Sequence, residues 1–264
     1  MSIRSLKELS IAVASGPPYS EEFLEELTQD ARAGARQLHE ACVRRIAAAR
    51  QEDDRLETML AFEYEAMALG FRRVAGVDEA GRGPLAGPIV AAAVVLSAPL
   101  RGLNDSKQLT ELQRETLFDA LEAGGHDIGV GIVESEEIDR MGIQAANYAA
   151  MAAAVAGLRV AADYLLVDGF NVPGLVPPQL KLVKGDSRSL SIAAASIVAK
   201  VTRDRIMYTL HKQYPEYGFG THKGYGTEDH LDAIRRLGPC PAHRKSFAPL
   251  AQPLETQSLF DQEG

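Results

Sequence analysis

Two carboxylates stand side by side in "GVDEAGRGPLAGP", Asp78 and Glu79, and a glycine turn carrying one arginine, Gly81-Arg82-Gly83, follows at once. Two further acids close short apolar runs: Asp168 after "YLLV" and Asp186 after "LVKG". Acids gathered at strand ends repel one another, and divalent cations are the usual remedy. Mg²⁺ takes oxygen ligands in octahedral geometry and keeps several waters. Two such ions, about 3.5–4 Å apart, can stabilise both the attacking and the leaving oxygen of an in-line phosphoryl displacement. A single Asp at a strand end is also a common turn former, so Asp168 and Asp186 gain weight only from the adjacent pair. Neighbours in a regular strand point to opposite faces. For Asp78 and Glu79 to serve one centre, the strand is therefore expected to end or bulge at this point.

The glycine turn is no dinucleotide fingerprint. Its spacing is G-x-G-x-x-x-G, and an apolar strand-like run follows it instead of a helix. The glycines let backbone approach a ligand closely, and Arg82 adds a planar cationic fork.

The elements that must position these residues are legible as texture. Residues 1 to about 70 read as helices, with Ser20 as an N-cap before "EEFLEEL", helical spacing from Leu38, and a further helix from Leu56 to Leu69. "RVAGVDEA" and "PIVAAAVVL" read as adjacent strands and "DIGVGIVES" as a third, in which Ile128, Val130 and Ile132 alternate with Gly129, Gly131 and Val133. Helices are predicted over Leu109–Leu121, over the alanine-rich "IQAANYAAMAAAVAGL", and from about Leu190 to Gln213; "DYLLVDG" and "QLKLVKGD" are two more strands. Three strands in succession suggest a meander, and the later alternation suggests parallel additions. The expected fold is α/β, a mixed five-stranded sheet flanked by helices, with sites at the carboxyl ends of its strands. The expected organisation is an all-helical extension over 1–70, a catalytic domain over 71–250 with C-terminal helices, and a flexible tail over 251–264.

The chain has 264 residues, 46% hydrophobic and 24% charged, with a net charge of -8, which argues against a generic basic nucleic-acid coat. The acidity is uneven. Residues 1–70 carry 8 basic and 13 acidic side chains, whereas Lys181–Lys212 holds seven Lys or Arg against two Asp. Within that basic stretch Ser196, Lys200 and Arg203 fall at i, i+4 and i+7, on one helix face, and phosphate contacts of this kind position a duplex without reading its sequence. The two cysteines, Cys42 and Cys240, form no CxxC pair, and no apolar run is long enough to span a bilayer. A cytoplasmic protein and a monomer are expected. His222, His230, Cys240 and His243 do not have the spacing of a closed zinc site.

The segments "VAGVDEAGRGPLAGPIVAAAVVL", "LNDSKQL", "YLLVDG", "KGDSRSLSIAAASIVAKVTRDR" and "YPEYGFGTHKGYGT" together resemble bacterial ribonuclease HII, over residues from about 71 to 248. The resemblance implies the ribonuclease H-like fold and Mg²⁺- or Mn²⁺-dependent endonuclease action at a two-metal site. The implied substrates are RNA–DNA hybrids and duplex DNA carrying single ribonucleotides, cut on the 5′ side of the ribonucleotide to leave 3′-hydroxyl and 5′-phosphate ends. Position by position, Asp78, Glu79, Asp168 and Asp186 match the family's metal-binding acids. Gly81, Arg82 and Gly83 match the loop that senses the ribose 2′-hydroxyl, the group that separates RNA from DNA at a given sugar. Tyr225 matches a tyrosine packing near the following sugar. Ser106 and Lys107 of "DSK" match a phosphate contact, and "HRKSFAPL" places Arg244 and Lys245 near nucleic acid. The first 70 residues resemble the helical extension of the longer family members, expected to pack on the catalytic body and tune substrate engagement. In the tail, "TQSLF" resembles a sliding-clamp peptide without its leading glutamine. Two other readings stay open on the residues alone: a different metal-dependent nuclease or phosphotransferase on the same sheet, and a non-catalytic nucleic-acid-binding module, which would not need four strand-end acids.

Overall fold

The computed structural model describes residues 4–251, which divide into two compact units between Thr58 and Met59. The first unit holds α1 (Leu6–Ala14), α2 (Glu21–Gln29) and most of α3 (Ala33–Met59). Ser5 and Ser20 cap the first two helices, each accepting a backbone N–H three residues on. Leu9, Leu27, Ala35 and Cys42 close a small apolar core among these helices. The helix expected over Leu56–Leu69 is divided: α3 ends at Met59 and α4 (Ala61–Ala68) starts after Leu60, whose φ of -91° and ψ of 1° break the helical run.

The second unit is built on one sheet of β1 (Val74–Ala80), β2 (Ile89–Val95), β3 (Asp127–Val133), β4 (Tyr164–Asp168) and β5 (Gln179–Leu182), in the order β3-β2-β1-β4-β5. The first three strands form the antiparallel meander, and β4 and β5 add in parallel beside β1. α5 (Glu111–Ala123), capped by Thr110, follows the meander's second strand. α6 (Ser135–Met141) and α7 (Ile143–Ala156) follow β3, and α8 (Leu190–Gln213) follows β5. α9 (Phe219–His222) and α10 (Glu228–Leu237) complete the described helices.

α7 and α8 cover opposite faces of the sheet. On the α7 side Ala75, Val77, Ala91 and Ala93 meet Ala146, Ala150, Met151 and Ala154. The alanines allow very close approach: a Cβ at Gly129 or Gly131 would collide with the carbonyls of Ala154 or Ala150. The glycine side of β3 is therefore the packed side, and Val130 and Ile132 point outward. On the other face, α8 begins against Gly76. Its start is held by the buried carboxylate of Glu63 in α4, which accepts hydrogen bonds from Ser189 Oγ (2.7 Å), Ser191 Oγ (2.6 Å) and Ser191 N–H (3.0 Å). An acid suits a helix N-terminus because the unpaired amides there carry partial positive charge. Among the described residues no helix is long and apolar enough to cross a membrane.

Candidate active site

The expected break at the acid pair does not occur. β1 runs in regular register through Asp78, opposite Ala92, and Glu79, opposite Ala91. The two side chains consequently point to opposite faces. Asp78 is buried on the α8 side beside Ser196, and its Oδ1 accepts the Glu79 N–H at 2.7 Å. Glu79 points to the α7 side, beside Asn147 and Arg82. The parallel pairing of Val77 with Val167 brings Asp168, the next residue of β4, alongside Asp78. Asp186 corrects a second expectation. β5 ends at Leu182, Lys184 turns the chain with a φ of 56°, and Asp186 lies in a one-turn 3-10 helix over Gly185–Ser187. That turn folds back onto β4, with Gly185 N–H donating to Asp168 Oδ1 at 2.6 Å.

The acids are close enough to feel one another. Burial pushes the Asp78 carboxyl well above the usual range, and the charges of Glu79 and Asp168 push it further. Glu79 is raised to about 6, chiefly by burial; Asp168 adds to the rise and Arg82 opposes it. Asp168 is raised by burial and by Asp186, against the Gly185 hydrogen bond. Asp186 has Lys107 Nζ at 3.3 Å. Two polar groups are left over. Glu79 Oε2 is buried without a hydrogen-bond partner, and so are both side-chain atoms of the fully buried Asn147.

This donor set fits a hard divalent cation. All the donors are oxygens, burial disfavours the ionised forms of Asp78, Glu79 and Asp168, and one oxygen is an orphan. Among the described residues, no three His, Cys, Asp or Glu side chains form a ready-made metal cage. Mg²⁺ sites need none, since such ions use one or two carboxylates with waters and substrate phosphate oxygens.

The glycine loop is finished in a different way. Arg244, fully buried, donates from Nη2 to Gly81 O (2.6 Å), from Nη1 to Arg82 O (3.0 Å) and from Nε to Gly87 O (2.9 Å). Arg203 donates to Pro88 O, Ala86 O and Lys223 O, each at 3.0 Å. Gly81, at a φ of 96°, has no room for a Cβ against Arg203 and Pro88. Gly83 differs. It has no positive φ, and a Cβ there would come no nearer than 3.9 Å to anything, the Tyr225 ring. Arg82 bonds Gln144 Oε1 at 2.9 Å and lies 5.2 Å over the Phe170 ring.

The phosphate contacts expected on α8 need revision. Ser196 and Arg203 do share a face, but it is the inward one. Ser196 is buried against Asp78 and against Ser106, itself buried, at 3.0 Å. Arg203 has all three nitrogens spent on carbonyls. Of the basic residues singled out, Lys107 is exposed beside Asp186, and Lys200 is half-buried and paired with Asp204 at 2.7 Å. Arg244, expected near nucleic acid, is instead a support behind the loop. Tyr225 is half-exposed next to Gly83, and its carbonyl meets His230 Nδ1 at 2.8 Å. Gln144 and Asn147 were not singled out from the sequence. Both lie in "IQAANYA", whose alanine content marks only a packed helix, although their i, i+3 spacing places them on one face. The "TQSLF" segment lies outside the described residues.

Solved structures share this architecture. Ribonuclease H2 from Pyrococcus horikoshii OT3 matches with a TM-score of 0.58 and 30% identity, covering 68% of this chain and 96% of that one. Ribonuclease HII from Archaeoglobus fulgidus, solved in a complex with PCNA, matches with a TM-score of 0.56 and 25% identity, covering 66% and 94%. Fold and acids together define a ribonuclease H-like hydrolase. The model of the family described as ribonuclease HII matches residues 75–250, and that of the ribonuclease HII N-terminal domain matches 3–67. A ribonuclease HII from Clostridioides difficile (strain 630) is 48% identical over 248 residues, 93% of this chain and 96% of its own. The chain belongs to the ribonuclease HII family.

Proposed function

We propose that this ribonuclease H cuts the RNA strand of RNA–DNA hybrids, and cuts duplex DNA on the 5′ side of a single embedded ribonucleotide, leaving 3′-hydroxyl and 5′-phosphate ends. The observation that carries the reading is the pairing of repelling buried acids with a loop that offers free amides. Neither Arg82 N–H nor Gly83 N–H has a hydrogen-bond partner among the described residues. A glycine at 83 that the chain's own packing does not require is explained by close approach of a ligand.

Asp78, Glu79, Asp168 and Asp186 would hold two Mg²⁺ or Mn²⁺ ions. Such ions supply charge stabilisation to the attacking and leaving oxygens of the displacement. Asp78 is held by the Glu79 N–H, and Asp168 by the Gly185 N–H, so their carboxylates are oriented in advance. The free amides of Arg82 and Gly83 would meet the 2′-hydroxyl and its neighbouring phosphate. Tyr225 presents an exposed ring to the adjacent sugar, and Lys107 and Lys200 supply positive charge to the backbone. A water attacks phosphorus and gives up a proton to solvent, the bond to the 3′ oxygen breaks, and that oxygen takes a proton from solvent and leaves as a hydroxyl. The cytoplasm is the compartment we propose, on the two free, buried cysteines. A sliding-clamp contact through the tail is also proposed, on the relative solved with PCNA and the "TQSLF" segment.

The test uses a DNA duplex with one ribonucleotide and its all-DNA twin, each with Mg²⁺ and with EDTA. Cleavage only of the first duplex, only with metal, on the 5′ side of the ribonucleotide is expected. Equal cutting of both duplexes, or cutting in EDTA, would overturn the proposal.

A further inference from the structure

We infer that Arg244 is a positioning residue that sets the discrimination between ribose and deoxyribose, by fixing the direction of the Arg82 and Gly83 amides. The inference rests on the reading that this loop meets the 2′-hydroxyl. In a trans peptide, C=O and N–H point in opposite directions. Gly81 O and Arg82 O both turn toward the Arg244 guanidinium, at 2.6 and 3.0 Å. The N–H groups of the same two peptides, those of Arg82 and Gly83, therefore point away from the buried arginine, and neither has a hydrogen-bond partner among the described residues. Two successive carbonyls on one side of the chain is a costly arrangement unless both are satisfied. The planar fork of a guanidinium can bind two oxygens at once, which a lysine cannot reproduce.

The support has its own foundations. Arg244 is fully buried, sits 5.1 Å from the Phe247 ring centre, and returns its backbone N–H to Leu85 O at 2.8 Å. Among the described residues it forms no ion pair with a carboxylate, and the neighbouring Arg203 opposes its charge. Burial, with that neighbour, pulls its guanidinium down to about 9. Keeping a charge in so unfavourable a place makes sense where its donors are needed in a particular geometry.

The test compares wild type with Arg244→Lys and, as a milder second variant that keeps the arginine, Phe247→Leu. Amide NMR of the metal-free protein reads the loop directly. Shifted resonances and lower backbone order parameters are expected at Arg82 and Gly83 in both variants, with Val77 in β1 unchanged. The ratio of kcat/KM for the ribonucleotide duplex to that for a 2′-fluoro duplex should fall tenfold or more in Arg244→Lys, and by less in Phe247→Leu. If Arg244→Lys does not fold, Phe247→Leu alone decides by the same two readouts. Unchanged loop amides, or an unchanged ratio, would overturn the inference. Gly83→Ala separates this from the underlying reading. If Gly83→Ala lowers the ratio while the Arg244 and Phe247 variants leave it alone, the loop senses the 2′-hydroxyl without help from Arg244. If Gly83→Ala also has no effect, the loop reading itself has failed.

Discussion

The glycine loop and the strand-end acids lie next to each other and deal with their buried polar groups in opposite ways. In the loop, two buried arginines meet six carbonyl oxygens, four of them in the loop's stretch from Ala86 back to Gly81 and at Gly87, and the rest at Pro88 and Lys223. Cations there are satisfied by backbone dipoles. Among the acids, burial and mutual repulsion raise Asp78, Glu79 and Asp168, and Glu79 Oε2 has no partner. The loop's carbonyls are met by the protein itself, which leaves its Arg82 and Gly83 amides free. The acids are complete only with positive charge from outside the chain. Satisfied carbonyls belong to the loop, and unmet electrostatic demand to the acids.

The largest effect should come from the acids. Asp78→Asn is expected to lower single-turnover cleavage on the order of 10³-fold, the scale of losing one preorganised electrostatic partner. The same variant should melt higher than wild type in EDTA at pH 7, because burial beside Glu79 and Asp168 disfavours a carboxylate at this position and an amide carries no charge. A lower melting temperature would break the contrast, since Asp78 would then be a structural acid.

The next effect separates two glycines of one loop. Gly81→Ala should destabilise by more than about 1 kcal/mol, as Ala does at positive φ, with added collision against Arg203. Gly83→Ala should change stability by no more than about 0.5 kcal/mol and still slow cleavage tenfold or more. Thermal melting together with kinetics checks both.

The mixed five-stranded sheet was legible because strand texture is local in sequence, and the structure brings Asp168 alongside Asp78 with Asp186 in the turn that folds back onto β4. What was not legible depends on long-range packing. The strand was expected to break at Asp78–Glu79 because both acids had to reach one centre. In the structure β1 stays regular, Glu79 keeps the α7 face, and Asp168 joins Asp78 from the neighbouring strand. Ser196 and Arg203 were correctly placed on one helix face, but periodicity does not say which way a face points when the helix is buried nearly all round. Arg244 lies more than 150 positions from the loop it holds, so no spacing could link them. Alternation in β3 hid its packed side, because the residues touching α7 are glycines.

A smaller effect is a pair of opposed pH dependences in the metal-free protein. Glu79, raised to about 6 from an ordinary 4.5, binds its proton more tightly when folded, so stability should fall as pH rises through that window. His230 and His243 are lowered to about 4 from 6.5, first by burial. They resist protonation when folded, so stability should fall as pH drops from 6.5 toward 4. Melting curves of Glu79→Gln in EDTA should lose less stability than wild type as pH rises through 6 and keep the acid-side loss; an unchanged profile would show that Glu79 does not titrate in this window. The smallest effect expected is at Lys107→Ala: a rise in KM of less than about tenfold with a weaker salt dependence, as for loss of one phosphate contact.

The most direct test of unfinished acids is calorimetric titration of the nucleic-acid-free protein with Mn²⁺ at pH 6, in two buffers of different ionisation enthalpy. Metal displaces protons from ligands it deprotonates. The predicted result is binding with net proton release, both lost in Asp78→Asn. Binding without proton release, or equal binding by wild type and Asp78→Asn, would contradict the account.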